Sequence, residues 1–301
     1  MNDNSTVFLA AGELRAAFWP GSGMLGVSLR LGEEELLRRL GNLEAAKTKG
    51  STAGIPLLYP WANRLAALHY RAAGRDVTLD PASSLLHFDD HGLSMHGVPW
   101  GQLSWELVET SQNSLLARLD WSRPNLLAVF PFRHMVEMAA SVTHESLTLE
   151  TTVFANAGSP VPISFGFHPY FGIPHSPRSR WRLQLPAMRR LRLDPSGILT
   201  GVEEPFGPLE PFLDATSLDD SFVLLAEPSS FSLSAEGYKI TVTFLAGFPY
   251  AQIFAPVGQE FIAFEPMTAP ASALTSGRDL RILEPGGRFR ASFRITALAG
   301  G

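Results

Sequence analysis

Apolar and polar residues alternate with a period of two along much of the chain. Leu147, Leu149, Thr151 and Val153 fall on one face of a strand whose other face carries Thr148, Glu150 and Thr152. The segment FSLSAEGYKITVTFL reads as two strands joined at Ala235, Glu236 and Gly237. In the second, Tyr238, Ile240, Val242 and Phe244 oppose Lys239, Thr241 and Thr243. Near the C-terminus Phe289, Ala291, Phe293 and Ile295 alternate with Arg288, Arg290, Ser292 and Arg294. Half-polar strands of this kind belong to antiparallel sheets buried on one face. The 26 glycines and 23 prolines break the chain every few residues and leave little room for long helices. The best helical segment runs from Glu33 to Lys49, rich in Glu, Leu, Ala and Lys but interrupted by Gly41. Strands do not alternate with helices, which disfavours doubly wound and α/β-barrel folds. There is no fixed-period repeat and no low-complexity linker. The pattern predicts an all-β fold, a single large antiparallel β-sandwich with few short helices, as one domain over residues 1–301.

Composition narrows the chemistry. The chain carries 24 Lys and Arg against 29 Asp and Glu, a formal charge of −5, which argues against a nucleic-acid partner. Hydrophobic residues at 45% and charged residues at 18% exclude intrinsic disorder. Cysteine is absent, which removes disulfides, thiolate nucleophiles, Fe–S clusters and sulfur-ligated zinc. MNDNSTVFLAAG shows neither a basic n-region nor a long apolar h-region, and no apolar run approaches the ~20 residues of a membrane span. The expectation is a soluble, cytoplasmic protein with no membrane partner.

Four islands combine turn residues with functional side chains. GIPLLYPWANRL carries Asn63 and Arg64, HFDDHGLSMHGVPWG carries His87, His91 and His96, FGFHPYFGIP carries His168 and Tyr170, and FIAFEPMTAP carries Glu265. Glu265 follows the apolar run Phe261–Phe264, and Pro266 is expected to end the strand directly after it. A carboxylate so placed is poorly solvated, which raises its pKa and makes it a better base; the alternative is a rim glutamate in a salt bridge. His168 lies in an aromatic turn, where an imidazole either exchanges a proton near neutral pH or simply packs in the core. Arg64 offers a planar fork of donors for hydroxyl or carboxylate oxygens, or a structural ion pair for its loop. His87, His91 and His96 with Asp89 and Asp90 match zinc spacing only loosely, since Gly92 and the Asp pair break a helix; no metal is assigned. No G-x-S-x-G elbow, P-loop or dinucleotide fingerprint is present.

Taken in order, these islands resemble the aldose 1-epimerase (galactose mutarotase-like) family. The resemblance runs from GIPLLYPWANRL through MHG (Met95–Gly97), FGFHPYF (Phe165–Phe171), LDPSGILTG and LDDSF (Leu218–Phe222) to FEPMTAPASAL (Phe264–Leu274). It implies a large antiparallel supersandwich and a cofactor-free interconversion of α and β anomers of a hexose. By motif, Glu265 matches the general base that takes the anomeric hydroxyl proton, and His168 the general acid that protonates the ring oxygen. Arg64, His96 and Asp219 match positions that hydrogen-bond the sugar, with Asp219 preferred to Asp220 because it stands three residues before Phe222. A base and an acid on opposite sides of the ring would open the hemiacetal with little net charge development. The chain departs from galactose-type members in having Val98 after Gly97, and its HPYF motif belongs to the broader part of the family.

Three rivals stand beside that reading. A hexose-6-phosphate 1-epimerase needs a cationic anchor, for which Arg178, Arg180 and Arg182 would share a strand face, followed by Arg189, Arg190 and Arg192; a solvated arginine face is the alternative. A glycoside hydrolase would pair Glu265 with Asp219 but has no evident use for His168. A non-catalytic carbohydrate-binding protein on the same sandwich needs no acid–base pair at all.

Overall fold

A computed structural model describes residues 6–38 and 52–299. Two large antiparallel sheets dominate. The first runs in the order Arg182–Gln184, Ser229–Ala235, Tyr238–Ala246, Arg288–Ala299, Ser146–Ala155, His134–Val142, Ser114–Trp121 and Glu106–Thr110. The second runs Leu199–Phe206, Met188–Leu193, Leu218–Leu224, Tyr250–Ala255, Ile262–Met267, Gly166–Phe167 and Leu57–Leu58, with Tyr170–Phe171 also pairing Ile262–Met267. A smaller N-terminal sheet joins Val7–Ala11, Leu14–Trp19, Leu25–Leu31 and Glu34–Glu35. Among the described residues the α-helices are Pro124–Val129 and Ala273–Ser276.

The alternation read from the sequence is the alternation of the pleat. Leu147, Leu149, Thr151 and Val153 are buried while Thr148 and Glu150 are half-exposed, and Phe289, Ala291, Phe293 and Ile295 are buried between exposed Arg288, Arg290 and Arg294. The hairpin turns at Glu236 and Gly237, whose φ values of 48° and 80° are those of a type I′ turn, the turn that matches strand twist. Aromatic side chains join the two large sheets: Phe231 meets Phe264 at 5.5 Å and Phe167 meets Phe293 at 5.0 Å between ring centroids.

Two expectations are corrected. In the segment Glu33–Lys49, Glu34–Glu35 forms a strand against Leu25–Leu31, and Leu37 bridges to Phe171, so the start of the segment is extended rather than helical; residues 39–49 lie outside the described residues. Pairing with an existing sheet outweighs a helical propensity already weakened by Gly41. Arg178, Arg180 and Arg182 do not share a strand face, because a 3₁₀ turn spans Arg178–Arg180 and the strand begins only at Arg182. The Arg178 side chain is buried and donates to the carbonyls of Asp214, Gln259 and Ala255.

His134 is a polar member of the core. It is 1% exposed, stacks on Trp121, places Nδ1 against the Phe132 carbonyl and faces the Tyr59 hydroxyl with Nε2. Burial pushes its pKa down to about 4, against the opposing pull of the Phe132 carbonyl. An unfolded imidazole takes up its proton near pH 6.5 and the folded one refuses it until about 4. His134 therefore contributes stability above that window that is lost as pH falls through it, at up to about 1.4 kcal/mol per pH unit. Urea denaturation at pH 7 and pH 5 should give a lower midpoint at pH 5, and His134→Gln should shrink the difference. Equal pH dependence in the two proteins would remove His134 as its source.

Candidate active site

A gap in one ladder builds the centre of the site. On the strand Ile262–Met267, Met267 pairs with Gly166 and Ala263 pairs with Tyr170, but the three residues between them, Phe264–Pro266, have no ladder partner on that side. The strand consequently continues through Pro266 rather than ending there, since no neighbour asks Pro266 for an N–H. The chain opposite the gap is Phe167–Pro169, and it is there that His168 turns in, its amide held by the Pro56 carbonyl. Pleating sends Phe264 into the core and Glu265 to the other face. His168 Nε2 and Glu265 Oε1 lie 3.1 Å apart, both almost fully buried. Among the described residues no Lys or Arg forms an ion pair with Glu265, so the rim-salt-bridge alternative is set aside.

The electrostatics follow from burial. Taking an ion out of water costs several kcal/mol, so burial pushes Glu265 well above the ordinary carboxylate value, with nearby Asp219 adding to the rise and Arg64 opposing it. Burial pushes His168 well below the ordinary imidazole value, assisted by His96. Tyr170 stacks on the His168 ring at 4.1 Å, brings its hydroxyl within 3.2 Å of Nε2 and is itself held by Thr52.

Around this pair lies a pocket of about 750 Å³ lined by Arg64, His96, Asp219, His168 and Glu265 together with His87 and Gln252. All five residues singled out in the sequence thus face one cavity. Arg64 is oriented by Asp89, whose carboxylate accepts from Nε at 2.6 Å. His96 and Asn63 hold each other: the His96 amide donates to the Asn63 carbonyl, and the Asn63 amide donates to His96 Nδ1 at 3.2 Å. Both adopt left-handed φ values, 62° and 57°, a strain that the mutual bonds retain. With Nδ1 accepting, a neutral His96 carries its proton on Nε2, and burial, aided by Arg64 and His87, pushes its pKa down to about 3. Gly97 follows at φ 69°, where a Cβ would come 2.2 Å from the Tyr59 carbonyl oxygen, so that crossing of chains requires glycine.

Asp219 lines the pocket, whereas Asp220 turns away to Arg190 at 3.5 Å. Sequence reading overlooked Gln252, which lies opposite both Ser221 and Glu265 in the ladders. Its amide nitrogen donates to Asp219 at 2.6 Å and its oxygen accepts from Ser221, which settles which way the amide points. A lone amide in the apolar strand YAQIFA was the available signal. His91 stays exposed and outside the pocket lining, while Asp89 spends its carboxylate on Arg64 and on the amides of His91 and Leu93. Arg189, Arg190 and Arg192 pair with Glu203, Asp220 and Glu204, and none lines the pocket.

Comparison with known proteins agrees with this architecture. The chain is 25% identical over 250 residues to the uncharacterized protein YihR of Escherichia coli K12, covering 79% of this chain and 77% of that protein. A crystal structure of a putative aldose 1-epimerase from the same organism superposes with a TM-score of 0.78 at 20% identity, covering 98% of this chain and 99% of the other. A galactose mutarotase-like protein from Clostridium acetobutylicum gives a TM-score of 0.86 at 16% identity over 98% and 95% of the two chains. The aldose 1-epimerase family profile matches residues 21–296, nearly the whole length over which the two large sheets and the pocket are built. The chain belongs to the aldose 1-epimerase family.

Proposed function

We propose that this protein interconverts the α and β anomers of a hexose, with Glu265 and His168 moving the protons and Arg64, His96 and Asp219 holding the ring. The carrying observation is the buried Nε2···Oε1 contact of 3.1 Å at the wall of a pocket rich in hydroxyl-binding groups. In this reading two groups 3.1 Å apart address the O5–C1–O1 edge of the sugar from one side of the ring.

The proton balance is then simple. Glu265 carboxylate accepts the O1 proton while the His168 imidazolium gives its Nε2 proton to O5. The C1–O5 bond breaks and an aldehyde forms. Rotation about C1–C2 turns the other face of the aldehyde toward O5, and the reverse transfers close the ring. Throughout, the pair holds one proton or hands it over against one received, so it alternates between an ion pair and two neutral groups. Burial disfavours the ion pair, so the pair's single proton rests on the carboxyl, and the reactive ion pair is reached by proton transfer across the 3.1 Å contact. Arg64, His96 and Asp219 keep the ring in register, lowering the entropic part of the barrier. A carbohydrate-binding protein without catalysis has no use for a carboxyl and an imidazole aimed at one another.

Glu265→Gln retains shape but cannot accept the O1 proton, and His168→Ala cannot protonate O5. Each should lower kcat for anomer exchange, followed by polarimetry or NMR on freshly dissolved anomers, by ~10²–10⁴, about 3–5 kcal/mol of barrier. A folded Glu265→Gln protein with full exchange activity would overturn the mechanism.

Replacing Arg64 or His96 should raise KM as well as lower turnover, because their bonds exist in ground and transition states alike. Unchanged constants in both variants would make them structural.

The pH profile of kcat/KM offers a separate check. With His168 lowered and Glu265 raised, the doubly protonated pair first loses the imidazole proton and then the carboxyl proton, and the apparent values belong to the pair. The rate should stay level through neutrality and fall on the acid side with a midpoint below 6.5, the ordinary histidine value. An acid limb centred at or above 6.5 would show His168 titrating as a solvated ring and refute the coupled pair.

A further inference from the structure

Tyr170 is a buried phenol at the pocket wall that the proton transfers above do not use. Pro169 biases His168 toward extended backbone, and residues two apart on an extended segment share a face. The His168 and Tyr170 rings accordingly lie one on the other, with centroids 4.1 Å apart and planes within 11°. The phenol is well anchored: its amide donates to the Gly54 carbonyl at 2.9 Å, and its carbonyl accepts from the Arg38 amide at 3.0 Å. Its hydroxyl oxygen lies 3.2 Å from His168 Nε2. Packed aromatic faces stand about 3.5 Å apart, so this contact spans the gap between the rings. It does not lie in the imidazole plane, where the proton or lone pair of Nε2 points. The phenol therefore sits above Nε2 without competing for its proton. Burial keeps the phenol protonated, and the Thr52 hydroxyl is there to take its hydrogen bond.

His168 depends on that stack. A working imidazole is commonly oriented by a hydrogen bond at its other nitrogen, as His134 is by the Phe132 carbonyl at Nδ1. His168 Nδ1 is buried and has no such partner among the described residues. Of the charged and titratable groups around the ring, Glu265 Oε1 at 3.1 Å favours an imidazolium. Arg38 and His96, the latter edge-on at 5.9 Å, oppose one. Phe254, also edge-on, carries no charge.

We propose that Tyr170 is a positioning residue for His168, its ring face and hydroxyl oxygen holding the imidazole and stabilising its protonated form while the sugar ring opens. This role rests on the anomer-exchange reading, in which a neutral pair must become an ion pair before it reacts. An imidazolium is a planar cation, and the negative face of an aromatic ring attracts it. With its proton turned to Thr52, the phenol oxygen presents lone-pair density to Nε2. Tyr170 thus acts on the imidazole, and so on turnover, rather than on how tightly the sugar is held.

The test follows anomer exchange of D-glucose, D-galactose and D-mannose at pH 7 with the whole chain and two variants. Tyr170→Phe keeps the stack and loses the oxygen; Tyr170→Leu loses both. Tyr170→Phe should lower kcat by about three- to tenfold, the worth of one polar contact. Tyr170→Leu should lower it by about three- to tenfold more, for the lost ring face. KM should stay within about twofold of wild type, because stabilisation gained after binding changes kcat and not KM. A packing residue would instead lower the melting temperature and leave kcat of the folded fraction intact, and a sugar-binding residue would raise KM. Either pattern, or full turnover in Tyr170→Phe, would overturn the role of Tyr170 while leaving the reaction standing. If Tyr170→Leu does not fold, the Tyr170→Phe variant decides alone. Wild-type protein with no exchange on any of the three sugars would overturn the anomer-exchange reading, and this inference with it.

Discussion

A carboxylate buried beside an imidazole, with no lysine or arginine in an ion pair with it among the described residues, is the constraint on which this site depends. Such a pair is costly wherever it occurs, because neither ion is hydrated. It persists here because the surrounding sheet is over-determined. Glu265 is flanked by ladders on one side and by a strand interruption on the other, and the interruption is filled by the residue that partners it. The same missing hydrogen bonds that let Pro266 sit within a strand open the space into which His168 turns.

Rigidity elsewhere serves that arrangement. Pleating puts Ser221, Gln252 and Glu265 in one row across three strands on the pocket face, while Phe222, Ile253 and Phe264 fall in the core. Sites carried on strands hold their side chains more closely than sites on loops. The loop contributions are correspondingly braced, His96 by Asn63 and Arg64 by Asp89, and Asp219 near the start of its strand is held by Gln252. Each brace satisfies a polar group that would otherwise be left unpaired in the pocket wall.

Burial then does chemical work that an exposed pair could not. In water Glu265 and His168 would hold their charges independently and titrate separately. In the pocket the desolvation of both ions favours the neutral form of the pair, with the shared proton on the carboxyl.

Much of the fold and several members of the site were legible in the sequence because they depend on short-range pattern. Period-two alternation is a local property of strands, so the antiparallel sheets could be read from Leu147–Val153 or Phe289–Ile295 alone. The candidate acid–base residues were marked by conflict: Glu265 after an apolar run, His168 inside an aromatic turn. Gln252 was marked in the same way and passed over. What tertiary structure decided is everything that depends on which strands become neighbours. The start of the predicted helix became a strand because the Leu25–Leu31 edge was available to it, Pro266 failed to end its strand because its interrupted side has no ladder partner, and Arg178 turned inward onto carbonyls supplied by distant segments. The separation of 3.1 Å between Glu265 and His168 is set by strand register across nearly a hundred residues of chain, and no local pattern encodes a distance between residues that only the sheet brings together.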